Sequence, residues 1–281
     1  MNKKSFDPFT LRIGGALKSF EQPAIMAIMN ITPDSFFEGS RMGEAYILNA
    51  AEQMLKDGAQ ILDIGGQSTR PGAERIDAQT EWQRIEIVIG AVNKRFPEAI
   101  ISVDTFYSSV AQNAVAEGAH IINDVSAGSI DDQMYTTVAA LGVPYVLMHM
   151  KGDPQTMQSH AHYADVLGEL ILFFSQEIKK LRALGVKDIL VDPGFGFAKQ
   201  QEHNFEILKN LNELRLLQCP ILVGMSRKKM IQRVTQTDVE NALNGTIAAN
   251  TIALLNGAAL LRVHDVKAAS DARAIVMEYL K

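Results

Sequence analysis

"AQILDIGGQSTRPGA", residues 59–73, opens as an apolar run and passes through Gly65-Gly66 into Ser68, Thr69, Arg70 and Pro71. The run ending at Ile64 reads as a core strand, and the paired glycines let the backbone leave it sharply. Beyond them the chain is flexible, polar and cationic at once. A buried strand feeding such a segment suggests a loop that covers a ligand, provided other strands end the same way.

They do. "AIMAIMN" (24–30), "AIISVDTF" (99–106), "HIINDVSAG" (120–128), "VPYVLMHM" (143–150), "DILVDPGFG" (188–196), "PILVGMSRK" (220–228) and "ALLRVHDV" (259–266) are further strand candidates. Helical patterns separate them. "GEAYILNAAEQMLKDG" (43–58) ends on a glycine stop, and "DAQTEWQRIEIVIGAVNKRF" (77–96) opens on Asp77 as a cap. "DVLGELILFFSQEIKKLRALG" (165–185) and "NALNGTIAANTIALLNG" (241–257) are two more. Strand ends recur at roughly every 33 residues, the size of one βα unit.

Uninterrupted apolar strands suit a parallel sheet covered on both faces. Eight such units in about 250 residues without a linker fit a closed α/β barrel, a (β/α)8 TIM barrel. A doubly wound open sheet is the competitor, but its GxGxxG turn after the first strand is absent. "FTLRIGGALKSF" (9–20) reads as a hairpin turning at Gly14-Gly15, placed to cover the lower end of the barrel. The chain is thus expected to be one barrel domain over residues 1–281, with residues 1–22 as an N-terminal hairpin extension.

Bulk properties narrow the function. A net charge of −5 with no basic cluster disfavours a nucleic-acid surface. Cys219 is the single cysteine, so no internal disulfide can form and a reducing, cytoplasmic compartment is expected. The apolar stretch "TIALLNGAALLRV" is interrupted by Asn256, Gly257 and Arg262, which argues against a membrane span.

All strand C-termini of a parallel barrel emerge on one face, where the βα loops build the site. Reading those ends collects Asn30, Asp104, Asn123, Asp124, His149, Asp192 and Lys228 with Arg70, Arg262 and His264. Any one of these has a bland explanation as a cap, turn or solvated charge. Their joint appearance does not, because such groups are costly to bury unless they bind each other or a ligand. Two chemistries are present. Asp104, Asn123 and Asp192 are hydrogen-bonders suited to a 2-amino-pyrimidinone edge, as in guanine or pterin. Arg70, Lys228, Arg262 and His264 are cations suited to phosphate oxygens.

The motifs "IMNITPDSF", "DIGGQSTRPGA", "SVDTF", "HIINDVSAG", "MHMKGDPQTM", "DPGFGFAK", "GMSRKKMI" and "RVHDV", in this order, resemble those of the dihydropteroate synthases of the pterin-binding TIM-barrel superfamily. The resemblance implies a transferase of folate biosynthesis that joins 6-hydroxymethyl-7,8-dihydropterin pyrophosphate to p-aminobenzoate. It implies that Asp104, Asn123, Asp192 and Lys228 bind the pterin ring, with Met148 packed against it. Arg262 would lie over the ring or reach the phosphates, and Thr69, Arg262 and His264 would hold the pyrophosphate. p-Aminobenzoate would sit on Thr69, Pro71, Phe197 and Ser226, with Arg70 helping to close the loop. Asn30 would coordinate Mg²⁺ or lie beside the pyrophosphate, and a homodimer is expected from the family. A pterin-binding methyltransferase and a non-catalytic pterin-binding paralogue are the alternatives, disfavoured by "STRPG" and "RVHD". Two departures from the family pattern stand out: Gln67 in place of glutamate, and "SFFEGS", which leaves the roles of Asp34 and Glu38 open.

The expected chemistry needs no nucleophilic residue. The reacting methylene is attached to an electron-rich ring, so pyrophosphate departure can run ahead of attack in an SN1-like substitution. Arg262 and His264 would stabilise the leaving group, with Asp104 and Lys228 acting from the ring side. An aromatic amine is already unprotonated at neutral pH, and no Ser-His-Asp or Cys-His pairing is evident in the chain.

Overall fold

A computed structural model describes residues 6–31, 41–67, 75–153 and 156–281. Strands β1 (Phe9–Ile13) and β2 (Ala16–Phe20) pair antiparallel across Gly14-Gly15. Both glycines have positive φ, 56° and 84°, as a two-residue hairpin turn requires. Eight parallel strands come next: β3 (Ala24–Asn30), β4 (Ile61–Gly65), β5 (Ile100–Asp104), β6 (Ile121–Asp124), β7 (Tyr145–Met148), β8 (Ile189–Asp192), β9 (Leu222–Val223) and β10 (Leu260–Val263). From β3 to β8 each strand pairs with the next, β9 pairs with β10, and β10 returns to β3. The seam between β8 and β9 is a parallel bridge, Val191 to Ile221, with the Val191 N–H donating to the Pro220 carbonyl at 3.0 Å. The ring is therefore closed, as expected for a TIM barrel.

The helices are α1 (Arg41–Lys56), α2 (Ala78–Arg95), α3 (Ser108–Ala116), α4 (Met134–Leu141), α5 (Val166–Ala183), α6 (Gln201–Lys209), α7 (Lys229–Thr235), α8 (Leu243–Leu255) and α9 (Val266–Tyr279). Asp77 caps α2 by accepting from the Thr80 N–H at 2.8 Å, and Asp165 caps α5 through Gly168 at 3.0 Å. Among the described residues no helix is long and apolar enough to cross a membrane.

Strand parity positions everything that matters for the site, because successive side chains point to opposite faces. Ile25, Ala27, Leu62, Ile64, Ile101, Val103 and Leu261 pack outward into the large core shared with the helices. Met26, Ile61, Ile100, Ile121, Val146, Leu190, Leu222 and Leu260 point inward and form the barrel floor. Leu11 and Phe20 of the hairpin belong to that inner cluster, so the hairpin closes the lower end. Above this apolar layer the same inward parity presents Asp63, Ser102, Asp104, Asn123, Met148, Asp192 and Arg262.

Strand β9 is shorter than the run 220–228 suggests. Pro220 contributes no N–H, and the chain leaves the sheet at Gly224 into a turn with Arg227 at φ 56°. Arg227 forks onto Asp265, with Nε to Oδ2 at 2.8 Å and Nη2 to Oδ1 at 2.7 Å, which ties this turn to the start of α9.

Candidate active site

The strand register sets Asn30, Gly65, Asp104 and Asn123 side by side, each the direct partner of the next across β3, β4, β5 and β6. Gly65 keeps this row open. A Cβ there would lie 3.4 Å from the Asp104 Cβ and 3.8 Å from the Asn30 Oδ1. On the far side Gly224 does the same: its Cβ would stand 3.8 Å from the Arg262 Cβ and 3.9 Å from Asp192 Oδ2. Asp192 pairs in register with Met148. Met148 is buried with Phe106 and Val125, with Phe197 and Tyr107 packed alongside.

Arg262 lies within this ring of acids. Its Nε donates to Asp63 Oδ2 and its Nη2 to Asp104 Oδ2, both at 2.6 Å. Asp63 also accepts from the Ser102 hydroxyl at 2.6 Å and from the Asn123 amide at 3.1 Å. One buried carboxylate therefore orients an arginine, an amide and a hydroxyl. The two chemistries seen in the sequence are not separate patches; the arginine interlocks them. Burial raises the Asp104 carboxyl above its usual range, and the Arg262 charge pulls it back. Asp192 is also raised by burial, against the pull of Lys228 and a 2.7 Å bond from the Gly194 N–H.

The loops after β8, β9 and β10 supply the rim. Lys228 Nζ donates to the Phe195 carbonyl at 2.5 Å and stands 4.6 Å above the centre of the Phe197 ring. Burial lowers this lysine to about 8. Ser226 receives the His264 backbone N–H at 3.2 Å and lies 3.0 Å from the His264 Nδ1. The arrangement offers carboxylate acceptors at depth and cations at the mouth.

Asn30, Asp104, Asn123, Met148, Asp192, Phe197, Ser226, Lys228, Arg262 and His264 are thus brought to the C-terminal end of the barrel. Thr69, Arg70, Pro71, Asp34 and Glu38 lie outside the described residues. Gln67 is described, and its Oε1 accepts from the Ile76 N–H at 2.9 Å, the acceptor role glutamate would also fill. Asp124 faces outward, where it receives Tyr145, Ser126 and the Gly128 N–H, and caps a turn. Sequence reading missed Asp63 and Ser102, although their parity with Ile61 and Asp104 carries the signal.

For magnesium, the described residues contain no group of three or more His, Cys, Asp or Glu able to hold a metal ion. Asn30 presents a neutral oxygen at the exposed end of β3. That donor fits a cation held mainly by substrate phosphates and water, the usual habit of Mg²⁺.

Residues 26–264 match the family model described as pterin binding enzyme. The dihydropteroate synthase of Escherichia coli (strain K12) is 39% identical over 265 residues, 93% of either chain. A Yersinia pestis dihydropteroate synthase solved in complex with a sulfonamide drug superposes with a TM-score of 0.90 at 37% identity, covering 96% of this chain and 99% of that one. The Xanthomonas albilineans dihydropteroate synthase with 4-aminobenzoic acid gives 0.88 at 37% identity, covering 96% and 97%. Matched from the strand-end acids to the terminal histidine of the mouth, this chain belongs to the dihydropteroate synthases, transferases of the pterin-binding enzyme family.

Proposed function

We propose that the chain condenses 6-hydroxymethyl-7,8-dihydropterin pyrophosphate with p-aminobenzoate, giving 7,8-dihydropteroate and pyrophosphate. The observation that carries this reading is the convergence on one mouth: Asp192 and Arg262 flank Gly224, Arg262 grips Asp104, and His264 sits on Ser226. Asp104, Asn123 and Asp192 take the polar edge of the pterin, Lys228 adds a cation beside it, and Met148 provides an apolar surface. Phe197 and Ser226 receive the aromatic amine, which Thr69 and Pro71 complete, and Arg70 acts with them on the anions.

The bond from the methylene carbon to the diphosphate oxygen breaks first, with its electron pair leaving on oxygen. The electron-rich ring carries the positive charge, and Asp104 and Asp192 favour that cation electrostatically. The amine lone pair then forms the C–N bond, and the nitrogen proton passes to solvent. Arg262 and His264 stabilise the departing anion, with Thr69 beside them. Magnesium, when bound, supplies charge neutralisation on the diphosphate, and Asn30 is the residue that would hold it. A homodimer in the cytoplasm is the working form that goes with this reading.

A normal α-secondary deuterium isotope effect at the methylene is expected, since carbon rehybridises before attack; its absence overturns the dissociative order. Arg262→Ala is expected to lower turnover by about 10²–10³. That change also strands Asp63 and Asp104. His264→Ala, which leaves those pairs intact, is the companion, and unchanged turnover in both folded variants contradicts the leaving-group role.

A further inference from the structure

A buried lysine–histidine pair lies behind the site, and the condensation chemistry does not use it. His149 comes directly after Met148 and so points out of the barrel wall, where its ring meets Phe173 edge-on at 4.9 Å and Phe174 at 6.4 Å. Lys199 is only 4% exposed, and its Nζ sits 3.1 Å from His149 Nδ1, 3.4 Å from the His149 carbonyl and 3.1 Å from the Phe197 carbonyl. Burial lowers this lysine to about 7, against the pull of Asp192; in its charged form its three protons meet three acceptors, His149 Nδ1 among them. The Tyr163 ring lies over this pair, 6.1 Å from the His149 ring centre and 5.9 Å from Lys199 Nζ.

Burying a lysine head group among aromatic rings is costly, so what its bonds hold in place is informative. Two of them end on His149 at the end of β7 and one on Phe197 in the loop between β8 and α6, and that loop is pinned at almost every residue. The Gly194 N–H donates to Asp192, the Phe195 carbonyl accepts from Lys228, and the Gly196 N–H donates to Asn204 Oδ1 at 2.7 Å. Lys199 supplies the bond at Phe197, and the next residue, Ala198, is a non-glycine held at φ 49°. The product of this bracing is the Phe197 ring, fixed beside Lys228 and against the apolar cluster of Met148 and Phe106.

We propose that Lys199 and His149 are positioning residues that fix the Phe197 ring as the wall for the aromatic amine, and so set affinity for that substrate without setting affinity for the pterin. The inference rests on the proposed function, in which p-aminobenzoate lies along Phe197. A pair that merely supported the fold would act on both substrates alike, because Asp192 and Lys228 adjoin the same loop.

The test measures KM for each substrate, with kcat, in wild type, Lys199→Met, His149→Leu and His149→Gln, with melting temperatures to establish folding. Glutamine can return an acceptor oxygen to the place of Nδ1, so it is the rescue variant. Lys199→Met and His149→Leu are expected to raise the p-aminobenzoate KM about tenfold and to leave the pterin KM within about twofold, with His149→Gln recovering most of the loss. A joint rise of both KM values, an unmoved p-aminobenzoate KM, or no recovery with glutamine overturns the proposal. Should Lys199→Met fail to fold, the His149 pair decides on the same criteria. A folded wild type that forms no dihydropteroate overturns the functional reading together with this inference. An active wild type with unmoved variants overturns the inference alone.

Discussion

Asp63 is the residue on which most of the site's geometry converges, since Ser102, Asn123 and Arg262 all donate to it. Asp63→Asn puts an amide nitrogen where donors already point and leaves Asp104 to hold Arg262. Breaking one partner of a buried pair costs about 3–5 kcal/mol, so urea unfolding should register a loss near the lower end of that range. A loss within the about 0.5 kcal/mol of an ordinary surface change would remove Asp63 from this role. Attention to strand ends alone passes over it, because it stands two residues before the glycine at which the strand finishes. Counting parity back from Gly65 finds it. Glu81 on α2 was not legible in the same way, since nothing local marks it as buried beneath Gly66 with the Thr105 hydroxyl, at 3.0 Å, as its side-chain partner. Burial raises it from 4.5 to about 8, opposed by that hydrogen bond. The folded protein then holds a proton that the unfolded chain releases near 4.5, so stability falls as pH rises between about 4.5 and about 8. Glu81→Gln should flatten the melting temperature across that window and raise it at the alkaline end; a slope equal to wild type contradicts this.

At the scale of elements, the hairpin, the seven longer barrel strands and the cap of α2 were legible because each has a local cause. Gly14-Gly15 supplies positive φ, uninterrupted apolar runs mark the strands, and Asp77 supplies an acceptor to an exposed N–H group. Strand β9 was less legible: "PILVGMSRK" has the same apolar run as its neighbours, and only Pro220 and Gly224 hint that the ladder is brief. The β8–α6 loop was legible as a site element but not in its construction, since Lys199 finds His149 across 50 positions. Gly194 shows how tightly it is built. It adopts φ 69°, and a Cβ would fall 2.1 Å from the His149 carbonyl oxygen. Gly194→Ala is therefore expected to cost more than the about 1–3 kcal/mol of backbone strain alone and to weaken binding of both substrates, as read by thermal unfolding and titration. A variant with wild-type stability and affinity contradicts that packing.

Across the whole molecule the barrel divides by height, with an apolar floor and a polar mouth, and the division arises from one alternation carried through eight strands. The floor is sealed by Leu11 and Phe20 against Met26, Ile61, Ile100 and their inward neighbours. Leu11→Ala should cost about 2–5 kcal/mol while leaving both KM values unchanged, which denaturant unfolding and steady-state kinetics can separate. A shift in KM would mean that floor and mouth are coupled. Composition and charge spoke against nucleic-acid partners but could not supply the mouth, which joins residues as distant in the chain as Asp63 and Arg262, 199 positions apart. For the proposed reaction, this mouth must release a diphosphate and deliver the cation left behind to an aromatic amine. The direct measurement is pyrophosphate release by the purified protein, tracked alongside dihydropteroate, with the dihydropterin pyrophosphate and Mg²⁺ present and p-aminobenzoate added or withheld. With the amine present, equal amounts of the two products are predicted. No pyrophosphate from a folded protein, or release without dihydropteroate when the amine is present, would contradict it.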